Sequence, residues 1–213
     1  MPRPQSDIEA GRNELLETME GMIRQRGVFD LSITDLAAQA GMSPSNVYRF
    51  FESKEALYEA CAERWFADKV AIMEEVTGSD FPVRDKLYQF FARRYRLMAD
   101  SFAQEPELFK SYLDIGDEHF EVIRGYVDLG DHYLSLIVAE AMEEDYFSSL
   151  TIDSTVSLIN QMVAPYCSPR MMVMTAPKLN EEKLAQIIDA IFIGLGKGVA
   201  ATGATEPTIR IVS

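Results

Sequence analysis

LSITDLAAQAGMSPSNVYRFFESKEALYE, residues 31 to 59, holds two short helical patterns joined at Gly41-Met42-Ser43, and a third helix opens at Ser53-Lys54-Glu55. Capping chemistry makes this reading. Ser32 stands just before the apolar positions Ile33, Leu36, Ala37 and Ala40, and Asp35 follows three residues later, where its carboxylate reaches back to the free amides of the first turn. Gly41 falls where a helix of about two turns has to stop, and glycine enters the left-handed conformation there without steric cost. Ser43 followed by Pro44 is a cap and then the first helical position, whose N–H has no intrahelical partner to lose. Along the second helix Val47, Phe50 and Phe51 face inward. Ser45, Asn46, Tyr48 and Arg49 are left on the outer face, with the hydrogen-bonding groups that can read base edges. Spacing and capping alone fit both a DNA-binding helix-turn-helix and an ordinary helical hairpin.

The residue identities go further. Ser32, Leu36-Ala37, Ala40-Gly41-Met42-Ser43, Val47-Tyr48, Phe50-Phe51 and Ser53-Lys54-Glu55-Ala56-Leu57 succeed one another without interruption. In this the segment resembles the DNA-binding domain of TetR-family (TetR/AcrR-like) transcriptional regulators. The resemblance covers the first third of the chain and departs only at Met42, where the family usually has Val or Ile, a core exchange that leaves the recognition face untouched. It implies an all-α fold: an N-terminal three-helix helix-turn-helix domain, residues 1–52, joined by a long helix to a larger helical effector-binding and dimerisation domain, residues 53–213. Carried onto this sequence, Ser45, Asn46, Tyr48 and Arg49 would meet the major groove and its phosphates. Arg49 and Asn46 suit guanine and adenine edges; Tyr48, Ser43 and Lys54 suit phosphates, and Thr34 would add a backbone contact.

A formal charge of -14 over 213 residues runs against easy DNA binding, because a duplex rewards Lys and Arg through counterion release. Residues 1–66 hold seven Lys and Arg against eleven Asp and Glu, so even the first helices are acidic. The expected positive surface is therefore a small patch, Arg49 and Lys54 with Arg3 and Arg12 on the leading segment, while the body repels DNA. The chain is 47% hydrophobic and long enough to bury a sizeable core. No run approaches the roughly 18 apolar residues of a membrane span, and Met1 to Arg12 is polar rather than signal-like, so a soluble cytoplasmic protein is expected. Cys61 and Cys167 read as reduced thiols, and no cofactor is implied.

In chain order, periodicity predicts helices over Asp7–Arg26, closed by Gly27 with Val28-Phe29 over the core, then Ser53 to about Glu75, and Val83 to about Gln104. A short helix is expected over Glu107–Leu113, a long one over His119–Asp145, and two last ones over Asp153–Tyr166 and Glu181–Ala201, separated by a break around Pro165–Pro169. The only β signal is a tail strand near Thr208–Val212.

Function beyond DNA rests on the resemblance. The last helix carries Ile187, Ile188, Ile191, Phe192, Leu195 and Val199 among Gly194, Gly196 and Gly198, which reads as a fully buried helix or as one that pairs with a second copy. The resemblance implies a homodimer through the last two helices, a four-helix bundle placing two recognition helices on a palindromic operator. Aromatics crowd the middle helices and serve mostly as core. The resemblance implies that some of Phe91, Tyr95, Met98, Phe102, Phe109, Tyr112, Tyr126 and Tyr133 line a cavity for a small, largely apolar effector, with His119 and His132 among the candidate anchors. Arg93, Arg94 and Arg96 form a basic stripe that would suit an anionic effector such as an acyl-thioester, or simply solvent. The cluster Asp114, Asp117, Glu118, His119, Asp128, Asp131 and His132 lacks the short spacing of a metal site and reads as a solvated acidic turn. The overall expectation is a ligand-responsive repressor, not an enzyme. A dimeric interaction protein whose helix-turn-helix no longer binds DNA, and a helical enzyme built on the acidic cluster, stay open beside it.

Overall fold

The computed structural model describes residues 5–26, 32–118 and 120–196, and every regular element among them is helical. Helix α1 spans Gln5–Arg26, α2 Ile33–Gln39, α3 Pro44–Val47, α4 Lys54–Thr77, α5 Val83–Gln104 and α6 Pro106–Glu118. These are followed by α7 Phe120–Glu143, α8 Ile152–Met162, α9 Ala164–Cys167, α10 Pro169–Thr175, a 3-10 turn over Ala176–Lys178, and α11 Glu181–Gly196. Gly27, Val28-Phe29, Arg3, His119, Gly198, Val199 and the expected tail strand lie outside the described residues.

The helix-turn-helix is built as its caps predict. Ser32 Oγ accepts from the Asp35 amide at 3.0 Å, and its hydroxyl donates to the Asp35 carboxylate at 2.9 Å. Those bonds hold the Asp35 carboxyl below its usual range, with Arg26 at 3.7 Å adding a smaller pull. Gly41 has φ +67, the left-handed value that lets the chain turn between α2 and α3. Ser53 Oγ accepts from the Ala56 amide at 3.1 Å and starts α4. Two local expectations are corrected. Ser43 occupies the N-cap position, yet its side chain makes no capping bond; its carbonyl accepts from Asn46 and Val47 instead. And α3 is a single turn rather than a helix reaching Phe51, because after Val47 the chain runs on as hydrogen-bonded turns to place Phe50 and Phe51 on α1.

Two main cores follow. The first joins Leu15, Met19 and Ile23 of α1 to Leu36, Ala37, Val47 and Phe51, and it includes Leu57 and Cys61 of α4. Gly11 lets α1 come close: a Cβ there would stand 2.3 Å from the Phe50 ring. The second core packs Leu87, Phe90 and Phe91 of α5 with Leu134, Ile137 and Val138 of α7, Ile159 of α8, and Leu184, Ile188 and Ile191 of α11. Helix α4 belongs to both, contributing Met73 and Val76 to the second. A small third cluster, Met98, Phe109 and Met172, fills the space where α5, α6 and α10 meet.

Helix ends in the larger region differ from the sequence reading. Helix α6 continues to Glu118, past the expected Leu113. The expected helix over Asp153–Tyr166 ends at Met162, the expected break around Pro165–Pro169 holds the single-turn α9, and α10 follows it, whose Ser168 cap accepts from the Met171 amide at 3.4 Å and whose Pro169 sits harmlessly in the first turn. Phe120 and Val127 fall in step with the apolar positions of α7, yet they are 55% and 48% exposed. The described α7 residues in the main core, Leu134, Ile137, Val138 and Ala141, all lie in its C-terminal half.

Candidate nucleic-acid interface and effector cavity

Val47, with no exposed surface, and Phe51, 1% exposed, anchor the recognition turn from beneath. That anchoring turns Ser45, Tyr48 and Arg49 outward, with Tyr48 half exposed. Thr34 at the start of α2 and Ser43 at the turn are exposed on the same motif. Asn46 is partly buried: its amide Nδ2 donates to Met42 Sδ at 3.8 Å, and its Oδ1 accepts from Arg49 Nη1 at 3.5 Å. Its side chain is therefore braced within the motif more than the outward reading allowed. Lys54, at the start of α4, lies 5.3 Å from the Tyr58 ring.

Arg12 does something else than the sequence suggested. Its Nη1 donates to the Phe50 carbonyl at 2.7 Å and its guanidinium sits 4.4 Å from the Phe51 ring centroid. It closes the end of the recognition turn, and its charge is spent on the domain's own backbone. Among the described residues the basic patch thus narrows to Arg49 and Lys54.

The eight residues expected around the effector do not share one cavity. Phe91 is fully buried core, and Tyr95 packs edge-on against Tyr166 at 5.1 Å. Met98 and Phe102 meet Phe109 in the small third cluster. Tyr126 stacks on Phe66 at 4.5 Å, and the Tyr133 hydroxyl donates to Glu74 at 3.0 Å. Phe109 and Tyr112 do line a cavity of about 200 Å3 between α4, α5 and α6, together with Trp65, Lys69, Leu97 and Leu108. Its remaining lining, Glu20 of α1 with Arg64 and Asp68 of α4, puts it against the first domain.

The junction there is a network. Trp65 stacks on Tyr112 at 5.1 Å with ring planes 7° apart. Tyr112 is 7% exposed, and its hydroxyl donates to Glu20 at 2.9 Å, while Arg64 reaches the same carboxylate at 3.4 Å. Burial, with the nearby Glu20 charge, raises the Tyr112 pKa, so the hydroxyl stays a donor. Arg24 donates to Glu105 at 2.7 Å and ties α1 to the start of α6. Cys61 is buried, its thiol 3.7 Å from Met19 Sδ, and desolvation pushes its pKa up, the opposite of an activated thiolate.

The basic stripe on α5 is divided by its partners. Arg93 pairs with Glu75 at 2.7 Å and Arg96 with Glu181 at 2.6 Å, whereas Arg94 has no carboxylate within ion-pair distance among the described residues. A second, wider groove of about 520 Å3 runs along α7 and α8, lined by Asp128, Asp131, His132, Asp153, Asn160 and others. Among the described residues no group of three or more His, Cys, Asp or Glu is placed to hold a metal ion, and no helix is long and apolar enough to cross a membrane.

This arrangement, a capped helix-turn-helix sharing a long helix with a bundle, matches known families. Residues 15–61 match the family of bacterial regulatory proteins named for TetR, and residues 83–188 match the tetracyclin repressor-like C-terminal domain.

The chain belongs to the TetR family.

Both matches are to bacterial regulatory proteins of that family, which places the chain among transcriptional regulators with an N-terminal helix-turn-helix. Among curated proteins it is similar to the HTH-type transcriptional regulator SAR0097 of Staphylococcus aureus (strain MRSA252), 28% identical over 88 residues; the match spans 40% of this chain and 46%, under half, of that relative. Among solved structures it resembles a TetR family transcription regulator from Marinobacter aquaeolei VT8, with TM-score 0.59, 14% identity, and 89% of this chain and 97% of that one covered. It also resembles FadR of Bacillus subtilis, solved in complex with stearoyl-CoA, with TM-score 0.56, 18% identity, and 85% and 97% covered. At these identities the structural likeness speaks for the fold.

Of the ten residues lining the cavity between α4, α5 and α6 only Phe109 and Tyr112 were effector candidates in the sequence, and Trp65 and Lys69 are the two passed-over residues that carried a signal. Their signal was present: a charged residue four positions after a tryptophan, on the apolar side of a helix.

Proposed function

We propose that this TetR-family chain is a homodimeric cytoplasmic repressor without enzymatic activity, released from a palindromic operator by a small effector. Ser45, Tyr48 and Arg49 make the groove contacts, Arg49 reads a base edge with Asn46 braced against it, and Ser43, Lys54 and Thr34 hold phosphates. The observation that carries this reading is the recognition turn itself. Tyr48 is half exposed while its neighbour Val47 has no exposed surface and Phe51 is 1% exposed, so the turn is anchored from within and presents a polar-tipped ring to solvent. The functional division lies between residues 52 and 53, with α4 serving both sides of it.

Dimerisation runs through α8 and α11. Ile193 is 72% exposed, and Ile152 and Met162 of α8 also reach solvent, a distribution that suits a four-helix bundle with a second copy. For the effector, the stearoyl-CoA in the similar FadR structure supports a largely apolar ligand held among the bundle helices. The cavity beside Trp65, which reaches Glu20 of α1, is where such a ligand touches both domains. An effector that binds better to the arrangement unable to span two half-sites weakens operator binding by that differential affinity.

The test is salt-dependent binding of fluorescent duplexes covering the DNA upstream of the protein's own gene. Arg49→Ala and Tyr48→Ala each weaken binding at least tenfold, and the dimer mass is lost with Ile193→Asp in sedimentation. Unchanged DNA binding by both variants refutes the contact assignment. Absence of binding to any duplex at low salt replaces the repressor reading with that of a helical interaction protein.

A further inference from the structure

Acidic residues outnumber basic ones in this chain by 34 to 20, so a buried cation has carboxylates to choose from. Lys86, 6% exposed, takes one: its ammonium lies 2.6 Å from Glu140. Arg24, Arg64, Arg84, Arg93, Arg96 and Arg170 are likewise paired with acids. Two cations on the seam between α4 and α5 are not.

Lys69 is 8% exposed, yet among the described residues no carboxylate stands within ion-pair distance of it. Its Nζ donates to the Trp65 carbonyl at 2.7 Å and sits 4.0 Å from the Trp65 ring centroid and 5.3 Å from that of Phe66. Among the described residues no acceptor meets the other two of its three N–H groups, in a side chain that borders the cavity. Arg94 keeps some accessible surface, but its guanidinium is packed 4.1 Å over Phe90 and 5.3 Å from Phe91, with Nε on the Phe90 carbonyl and Nη1 3.3 Å from Met73 Sδ. Met73 lies one turn beyond Lys69 on α4, so the two cations occupy neighbouring levels of one seam. Burial lowers Lys69 to about 8 against an upward pull from Asp68, with the Arg94 charge adding a smaller push down, and burial lowers Arg94 to about 10 against weaker upward pulls from Cys167 and Asp131. Two desolvated like charges on one seam, neither in direct contact with a carboxylate among the described residues, are a strained arrangement that a bound anion relieves.

We propose that this seam is an anion seat: Lys69, backed by Arg94, takes the negative head of a small amphiphile whose apolar part lies against Leu97, Leu108 and Phe109. The proposal rests on the effector-responsive reading above and names the chemistry of that effector. The cavity volume of about 200 Å3 falls below the roughly 300–1,000 Å3 of drug-sized sites, so the buried part is compact and a nucleotide-sized group stays outside. Position gives the ligand its leverage. The same cavity is bordered by Trp65 and Tyr112, whose stack and Glu20 bond tie α6 to α1. The other charged and titratable groups facing Lys69 are Asp68 and Arg64 on α4, Glu20 on α1, Tyr112 on α6, and Tyr126 of α7 through its stack on Phe66. Glu20 is engaged by Tyr112 and Arg64, and Asp68 is exposed, leaving the ammonium open to a ligand.

Trp65 is the only tryptophan in the chain, so its fluorescence reads this cavity directly. The full-length protein is titrated with octanoate, phenylacetate and octyl phosphate, with octanol and 2-phenylethanol as neutral counterparts. A saturable change in Trp65 emission is expected with an anionic head and not with the alcohols. It tightens at least tenfold in wild type over Lys69→Gln and weakens as pH rises above about 8, where Lys69 loses its proton. Preference among carboxylate and phosphate heads identifies the source of the anion. As a check independent of any ligand, Lys69→Met melts at a higher temperature than the unliganded wild type, because it removes a buried charge that has no partner. Equal response to alcohols and anions, an undiminished response in Lys69→Gln, no saturable response to any anion, or a lower melting temperature in Lys69→Met each overturns the proposal. Duplex binding by the same variants keeps the two readings apart: intact DNA binding without an anion response refutes the seat alone, and absent DNA binding refutes the regulator.

Discussion

Tyr112→Phe isolates the strap between the two domains. The substitution keeps the ring stacked on Trp65 at 5.1 Å and removes one atom, the hydroxyl that donates to Glu20 at 2.9 Å. A hydrogen bond to a charged group contributes about 1.5–3 kcal/mol net. Glu20 keeps Arg64 at 3.4 Å and Arg24 at 3.7 Å, so its carboxylate is not stranded and the low end applies, about 1.5 kcal/mol. For a chain of this size that lowers the melting temperature by roughly 3–6 °C. Because other changes can lower a melting temperature equally, the decisive assay is a double-mutant cycle with Glu20→Gln, read by urea denaturation. A coupling energy of about 1 kcal/mol or more is expected, since the two side chains are in direct contact. Strictly additive effects refute the strap. An effector that shifts α6 would then have to reach the first domain by another route.

Other perturbations follow from single features. Lys69→Met stabilises the protein over wild type below pH 8, and the advantage shrinks as pH rises from about 8 toward 10.5. In that window the unfolded lysine still binds its proton while the folded one has lost it, so wild type gains up to about 3 kcal/mol; paired melts at pH 7 and pH 10 check the sign. Phe51→Ala empties the centre of the first core, where Phe51 is 1% exposed, and costs about 3–5 kcal/mol by denaturant titration, with loss of DNA binding as the recognition turn loosens. Gly41→Ala meets no neighbouring atom but must hold φ +67, so it costs roughly 1–2 kcal/mol from backbone strain alone; a stability unchanged by circular dichroism refutes that assignment.

What was legible in the sequence is what local chemistry controls. Ser32, Gly41, Pro44 and Ser53 each act within four residues of themselves, so caps, turn and helix starts appear where the letters place them. The apolar spacing of α1 and α5 likewise fixed which faces turn inward, and the density of the motif from Ser32 to Leu57 was enough to indicate the family. Where a residue's role depends on partners far along the chain, the sequence was silent or misleading. Arg12 reads as a free basic residue but is bound to the carbonyl of Phe50, 38 positions away. Phe120 and Val127 keep helical spacing with apolar neighbours, yet no helix among the described residues buries them.

The candidate cavity shows the same boundary most clearly. An aromatic at helical spacing has the same signature whether it fills a core, as Phe91 does, or borders a void, as Phe109 does. The three adjacent arginines of α5 are equivalent in sequence, and only the helices laid against them gave Arg93 and Arg96 carboxylates and left Arg94 among rings. By itself the sequence determined an all-helical regulator and the stretch from Ser32 to Leu57 that forms its helix-turn-helix, because capping and periodicity are short-range and repeat in every helix. Tertiary structure alone decided which charges are satisfied and where space remains, because pairing and void volume are set by elements that meet only after the chain has folded.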